Sequence, residues 1–270
     1  MIENLGIVIV VYNPDLKDFM NNLNNYVESA RAIVIIDNSE NPFISDYLSD
    51  FVNIHYIALN SNVGIAKAQN IGIDYLISVN NIENVLFFDQ DSYLTEIQVN
   101  NLVQTLKLIP KDEKIGLVSP GTSENKEKIS MEKEVISSGS LIPVSSIMIV
   151  GKMREEFFID FVDYEWCWRA RSLGYGIYSN NSIILSHQTD NPTLVMGKVV
   201  SKPFRDYFFY RNVIYLMRNK MMIDSKKMFM YKIFKHTIFE LFFCKDKIQR
   251  FKYIMHGIND GINKKMGKLS

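Results

Sequence analysis

Four short apolar runs in the first third of the chain each stop abruptly on a polar cluster. Leu5–Val11 ends on Tyr12-Asn13-Pro14, Ala32–Ile36 on Asp37-Asn38-Ser39, Ile54–Leu59 on Asn60-Ser61-Asn62, and Val85–Phe88 on Asp89-Gln90-Asp91-Ser92. Continuous rather than alternating apolar runs mark strands covered on both faces, as in a parallel sheet. Helical stretches fall between them. One starts at Pro14, which suits a first helical turn, places Asp15 at its positive end and runs to about Val27. Another opens over Gly64–Gly72. Strand and helix alternating in this way predict an α/β fold whose ligand crevice lies outside the C-terminal ends of the strands.

The fourth run carries the densest chemistry. Strand alternation points Asp89 and Asp91 to the same side, so both can reach one hard divalent cation such as Mg²⁺ or Mn²⁺. The bland alternative is a turn in which Asp91-Ser92 caps a helix beginning near Thr95. The turn after the first run has no glycine, and neither G-x-G-x-x-G nor G-x-x-x-x-G-K-[ST] occurs. A nucleotide would therefore be held by side chains and a metal.

Residues 111–133 are polar and charged apart from a small strand, Ile115–Ser119, and read as a solvated loop. Residues 137–143 (SSGSLIP) lead into an apolar helix ending near Gly151. A second loaded stretch follows at 157–175, FFIDFVDYEWCWRARSLGY. Asp163 suits an N-cap, with Trp166, Ala170 and Leu173 spaced to face inward and two arginines on the surface. That accounts for a helix but not for three carboxylates, Asp160, Asp163 and Glu165, crowded against aromatics. Ile183–His187 reads as another strand. Its terminal His187 is either a satisfied surface group or a ligand in line with Asp89 and Asp91.

The net charge of zero hides a split. Residues 198–270 hold 17 Lys+Arg against 5 Asp+Glu, a net of +12, and the rest hold 13 against 25, a net of −12. The expected organisation is an α/β domain holding the strand-end crevice over 1–200 and a helical, basic region over 201–270. Aromatics and lysines interleave at helical spacing from Pro203 onward, which fits either helices packed on the core or a face lying on anionic lipid. No apolar stretch reaches ~18 residues, and the N-terminus lacks a basic n-region, so its apolar run reads as a strand and not a signal peptide. Two cysteines give no disulfide framework, consistent with a reducing compartment.

Together these pieces resemble the inverting nucleotide-sugar glycosyltransferases of family two, with the GT-A fold. The resemblance covers roughly residues 5–220. It rests on VYNP, DNS, N-x-G-x-A-x-A-x-N-x-G over 62–72, DQDS, FVDYEWCWRARSLGY and the following His187. Gln90 within DQDS, SSGSLI at 137–142 and RDYFFYRN at 205–212 resemble the bacterial rhamnosyltransferase branch. The resemblance implies a mostly parallel central sheet flanked by helices, with a helical C-terminal extension. It implies that Asp37 receives the base of a UDP- or dTDP-linked donor, with Tyr12, Lys67, Asn70, Asp89 and Gln90 around the nucleotide sugar. Asp91 and Asp89 would hold Mn²⁺ or Mg²⁺, with His187 as a further ligand. Asp163 aligns with the general base, although Val162 departs from the acidic residue expected before it, which leaves Glu165 and Asp160 as fallbacks. Trp166 and Glu165 would line the acceptor site.

The implied reaction is transfer of a sugar, rhamnose from dTDP-rhamnose, to a hydroxyl of a cell-surface polysaccharide precursor, lipid-linked or oligosaccharide. One base and one metal give direct displacement with inversion. The expected location is cytoplasmic, peripheral at an anionic membrane surface on the inner face. A homodimer is compatible with the basic region, and nucleic acid is not an expected partner. Two readings compete. A nucleotidyltransferase needs a glycine-rich, arginine-containing loop that VYNPDLKDF does not supply. A non-catalytic GT-A-like partner of a polysaccharide assembly complex would have let the acidic residues and His187 decay.

Overall fold

The computed structural model describes residues 1–121, 127–187, 193–222 and 226–269, so residues 122–126 of the expected solvated loop lie outside the described residues. The four apolar runs become β1 (Ile2–Val11), β2 (Ala30–Asp37), β3 (Ile54–Ala58) and β4 (Asn84–Asp89). β1 pairs in parallel with β2 and β4, and β2 with β3. The helices α1 (Leu16–Leu23) and α2 (Ile65–Ser78) run between them. Then come β5 (Ser92–Tyr93), α3 (Glu96–Leu108), β6 (Ile115–Pro120), β7 (Ile129–Met131) and β8 (Leu141–Pro143). They are followed by α4 (Val144–Val150), α5 (Val162–Ser172), β9 (Gly176–Asn180) and β10 (Ser186–His187). Three helices, α6 (Phe204–Arg218), α7 (Lys226–Phe242) and α8 (Lys247–Asn263), end the fold.

The main sheet has the order β3-β2-β1-β4-β8-β6-β9-β7. It is mostly parallel on its first half, and β8 runs antiparallel to both β4 and β6. Successive residues of each strand feed opposite faces. Val8, Val34, Val85 and Phe87 pack with α2, α4, α5 and α6, whereas Ile7, Ile33, Leu86 and Phe88 pack with α1 and α3. Burial on both faces is why β1, β2 and β4 read as unbroken apolar runs, whereas β3, at the sheet edge, is only half-buried and leaves His55 and Ala58 exposed. Because α1 and α2 cover opposite faces, the connections diverge between β1 and β4, and a crevice opens at their C-terminal ends.

Several local expectations are corrected. Pro14 lies before α1 and Asp15 is its cap, its carboxylate accepting from the Asp18 N–H, and the helix stops at Leu23, not Val27, with Asn24 as its C-cap. Asp91-Ser92 does not cap α3. Thr95 does, in a capping box with Gln98, while Ser92 pairs antiparallel with His187. Asp163 is not an N-cap but sits inside the first turn of α5, whose cap is the left-handed Phe161. Leu173 is 47% exposed, since α5 has ended and the chain is turning away. Only Ser186–His187 of the expected strand 183–187 pairs.

The composition changes near residue 200, but the core does not. Val213 and Leu216 of α6 lie in the same apolar cluster as Val8 and Phe87 of the sheet. α8 lies close along α6 because Gly257 and Gly261 face it. A Cβ at Gly257 would stand 2.4 Å from the Tyr207 carbonyl oxygen, and one at Gly261 2.7 Å from that of Arg211. Gly257→Ala should therefore force the two backbones apart and lower stability by about 1–3 kcal/mol, despite alanine's better helix propensity. Denaturant unfolding of the variant would read this directly, and an unchanged midpoint would contradict it.

Candidate active site

The loops at the strand ends are laced together by side chains reading backbone groups. Tyr12 N–H donates to Gln90 Oε1 (2.7 Å), across the point where the connections diverge. Asn13 N–H donates to Ser39 Oγ, and Val63 N–H to Asn38 Oδ1. Asn62 Oδ1 accepts from both Gly64 N–H and Asn38 Nδ2. The Y-N-P, D-N-S and N-x-N clusters thus build one rim. Gln90, expected at the nucleotide sugar, spends its side-chain carbonyl on this lacing.

On that rim, the pairing of β5 with β10 brings His187 beside the carboxylates. His187 Nδ1 lies 2.6 Å from Ser92 Oγ and 3.4 Å from Asp91 Oδ1. Burial and the neighbouring Asp91 charge push the Asp89 carboxyl up to about 6, against the opposing pull of His187 and Arg205. Asp163 reaches the same place from α5. Burial pushes it up to about 6 as well, opposed by backbone N–H groups including those of Tyr164 and Ser137, while the Asp89 charge adds to the rise. The SSGS turn joins the two. Ser138 Oγ accepts from Asp89 N–H (3.1 Å), Ser137 backbone faces Asp163, and Gln69 Nε2 holds Ser137 Oγ (3.1 Å). Asp163 therefore feels the charge of Asp89, and Asp89 those of Asp91 and His187, so the four groups lie within electrostatic reach of one another at this rim.

The chemistry of this donor set suits a hard divalent cation, although its three donors do not come within 4.8 Å of one another without side-chain movement. Two carboxylates repelling each other beside an imidazole are stabilised when a cation neutralises them. Asp91 and His187 have side chains 35% and 41% exposed, so both can turn toward an ion. Among the described residues, a tighter set exists elsewhere: donor atoms of Asp206, His236 and Glu240 all lie within 4.8 Å of one another. There the Arg250 guanidinium already supplies the cation, with Nη1 2.9 Å from Asp206 and 2.6 Å from Glu240. That cluster is a structural ion-pair network between helices.

Other expected site residues are placed differently. Asn70 is buried, its amide bonding the Met153 carbonyl and N–H and the Glu155 carboxylate, which ties α2 to residues 153–155 and leaves nothing for a nucleotide. Glu165 is 2% exposed and gripped by Arg154 and Arg169, so it neither faces an acceptor nor serves as a base. Trp166 is buried with its indole N–H on the Gly151 carbonyl, so it is a core residue and not a stacking platform. Asp37 stands at its strand end but is fully covered, its oxygens accepting from Ser39 N–H and the Tyr56 hydroxyl. Asp160 is bound by Arg205. Lys67 and Tyr12 are exposed. Arg205, Gln69 and the Ser137-Ser138 pair are additions from the structure; their only sequence signal was membership of the RDYFFYRN, N-x-G-x-A-x-A-x-N-x-G and SSGSLI stretches.

Residues 6–146 match the family Glycosyl transferase family 2. The dTDP-rhamnosyl transferase RfbF of Shigella flexneri is 30% identical, the match covering 97% of this chain and 96% of that protein. The low-salt glycan biosynthesis hexosyltransferase Agl10 of Haloferax volcanii is 24% identical over 80% of this chain and 78% of that protein. Among solved structures, S. aureus TarS 1-349 in complex with UDP-GlcNAc superposes with a TM-score of 0.63 at 14% identity, covering 96% of this chain and 81% of that one. GalNAc-T7 with UDP, GalNAc and Mn²⁺ gives a TM-score of 0.59 at 12% identity, covering 97% and 56%. These two similarities establish the GT-A fold.

The raised Asp163 carboxyl has a measurable consequence for stability. Its folded value of about 6 lies above an unfolded value near 4, so ionising it works against the fold. That penalty is absent below about pH 4 and fully present above about pH 6. Asp163→Asn keeps an acceptor oxygen and removes the charge, so it should stabilise the metal-free protein by about 1–2 kcal/mol at pH 8, after allowing for solvent contact, and by almost nothing at pH 4. Melting curves of both proteins across that range would test the sign, and equal melting at pH 8 would refute it.

Proposed function

Since the chain belongs to glycosyl transferase family 2, we propose that this acidic site transfers rhamnose from a dTDP-linked donor to a hydroxyl of a polysaccharide precursor, with inversion. The donor assignment is supported by the near full-length similarity to a dTDP-rhamnosyl transferase. The observation that carries the reading is the SSGS turn, whose Ser138 accepts from Asp89 N–H and whose Ser137 backbone bonds Asp163, bringing Asp163 within charge range of Asp89 while Asp91 pairs with His187 beside it.

Asp89, Asp91 and His187 would hold Mn²⁺ or Mg²⁺. When bound, such an ion supplies positive charge to a departing diphosphate. Asp163 accepts the proton of the acceptor hydroxyl at a carboxylate oxygen. A carboxylate near 6 is a stronger base than an ordinary one and is still ionised at neutral pH. The N–H groups of Tyr164 and Ser137 fix its orientation. Tyr12 and Lys67, exposed on the rim, are the side chains available to the nucleotide, while Asp37, Asn38 and Asn62 shape the wall behind them. A single base without a protein nucleophile gives one displacement, hence inversion.

The basic end of the chain suits a surface-bound acceptor. Among the described residues no helix is long and apolar enough to cross a membrane. The outer faces of α7 and α8 nevertheless expose Phe234 (62%), Phe242 (68%), Phe243 (53%) and Phe251 (52%) among Lys235, Lys245, Lys247 and Lys252, with Tyr253 half-buried. An apolar face ringed by lysines fits an anionic leaflet, at about 1 kcal/mol per cation near the surface.

Three outcomes are expected. Diphosphate release from dTDP-rhamnose in a panel of nucleotide sugars should stop with EDTA and with Asp91→Ala, and activity untouched by EDTA would remove the metal from the scheme. Asp163→Asn should lose about 10²-fold or more in kcat while donor binding survives, and in the wild type kcat should fall as pH drops below about 6 as the base protonates. In co-sedimentation, anionic liposomes should bind the protein at low salt and release it at high salt, whereas neutral ones should not. Equal binding to both, or dimerisation that consumes the same face, would rule out the membrane role.

A further inference from the structure

Immediately before Asp163 the backbone takes a form that its residues do not favour. Phe158, Asp160 and Phe161 have φ of 64°, 66° and 64°, and none is glycine. Phe158, with ψ −64°, forms a γ-turn closed by the Ile159 N–H on the Phe157 carbonyl (2.7 Å), the rare and strained kind. Positive φ at bulky residues costs about 1–3 kcal/mol each and persists only where surroundings enforce it.

The enforcing groups can be named. Every carbonyl from Glu156 to Asp160 accepts a hydrogen bond from outside the loop. Asn212 Nδ2 donates to those of Phe157 (3.2 Å), Ile159 (2.8 Å) and Asp160 (2.8 Å). Arg211 Nη2 donates to those of Phe157 (2.7 Å) and Glu156 (3.4 Å). Ile65 N–H takes Phe158 (2.7 Å), and Gly267 N–H takes Glu156 (2.9 Å). Arg211 and Asn212 are fully buried, and Arg211 Nη1 also donates to the Gly267 carbonyl. Leu269 packs beside Phe158, Tyr207 and Phe208. Residues 266–269, after α8, therefore strap the same loop from outside. Among the described residues no carboxylate bonds this buried guanidinium directly, Asp260 and Asp160 acting on it only through space, and such a group is expensive to keep for packing alone.

We propose that Arg211, Asn212 and the strap 266–269 are positioning residues, which hold the strained loop 156–161 and thereby fix Asp163 where an acceptor hydroxyl must lose its proton. This rests on reading Asp163 as the base. If the loop relaxes, Asp163 shifts by an ångström or so, while the nucleotide rim keeps its own lacing among the ends of β1 to β4 and touches the loop through the Ile65 N–H on the Phe158 carbonyl. A displacement of that size can cost up to about 10²-fold in rate.

The test compares three variants, Asn212→Ser, a chain ending at Lys265, and Asp163→Asn. Each is measured for kcat, for KM of dTDP-rhamnose, for dTDP binding in the presence of Mn²⁺, and for melting temperature. The shortened chain leaves Arg211 and Asn212 in place, so it stays informative if Asn212→Ser does not fold. We expect it to lose about 10-fold or more in kcat, with KM and dTDP binding within about twofold of wild type. Wild-type kcat in the shortened chain, or a fall in kcat matched by weaker dTDP binding, would overturn the positioning role. Wild-type activity in Asp163→Asn would instead overturn the base assignment. A crippled Asp163→Asn beside a fully active shortened chain isolates the failure to the strap and its partners.

Discussion

Charge repulsion between carboxylates with little access to water is the constraint on which this architecture turns. Asp89 and Asp163 are each pushed toward neutrality by burial, and the Asp89 charge raises Asp163 further. A fold seeking only stability would separate them or supply an arginine, as it does for Asp206 and Glu240 around Arg250. Here the nearby cation, Arg205, is engaged by Asp160, and it acts on Asp89 only through space. The rim is thus left short of positive charge, which a divalent cation would supply.

The scaffold bears that tension with rigid parts. Strands buried on both faces deliver the carboxylates to one edge, and backbone-reading side chains stitch the strand ends into a rim. Asp163 comes from the other direction, on a helix whose entry is bent into left-handed conformations. The two supports meet at the SSGS turn, which touches Asp89 through Ser138 and Asp163 through Ser137. The strand-end rim and the loop ahead of Asp163 therefore rest on separate parts of the chain, joined at this turn and by the Ile65 N–H on the Phe158 carbonyl.

Much of this was legible in the sequence because it is local. Double-sided burial writes itself as unbroken apolar runs, and the polar clusters at their ends marked the crevice. The grouping of Asp89, Asp91 and His187 followed from strand ends sharing one edge. Orientation was less legible. Glu165 is two residues from Asp163, about 200° further round a helix of 3.6 residues per turn, so proximity in sequence placed it on the opposite side, against Arg154 and Arg169. Asn70 carried a motif position but spends its amide on Met153. The grip of Asn212 on residues 157–160 spans more than fifty positions, and no local pattern of polarity announces that an asparagine inside an aromatic helix reads a distant main chain.

That grip has an evolutionary corollary. Its hydrogen bonds end on carbonyl oxygens, which every amino acid carries, so the restraint is indifferent to which side chains the loop displays. The face next to Asp163 can change its shape and polarity through mutation while the placement of that carboxylate is inherited intact. Change in the surface the loop displays is thereby uncoupled from the upkeep of its backbone shape.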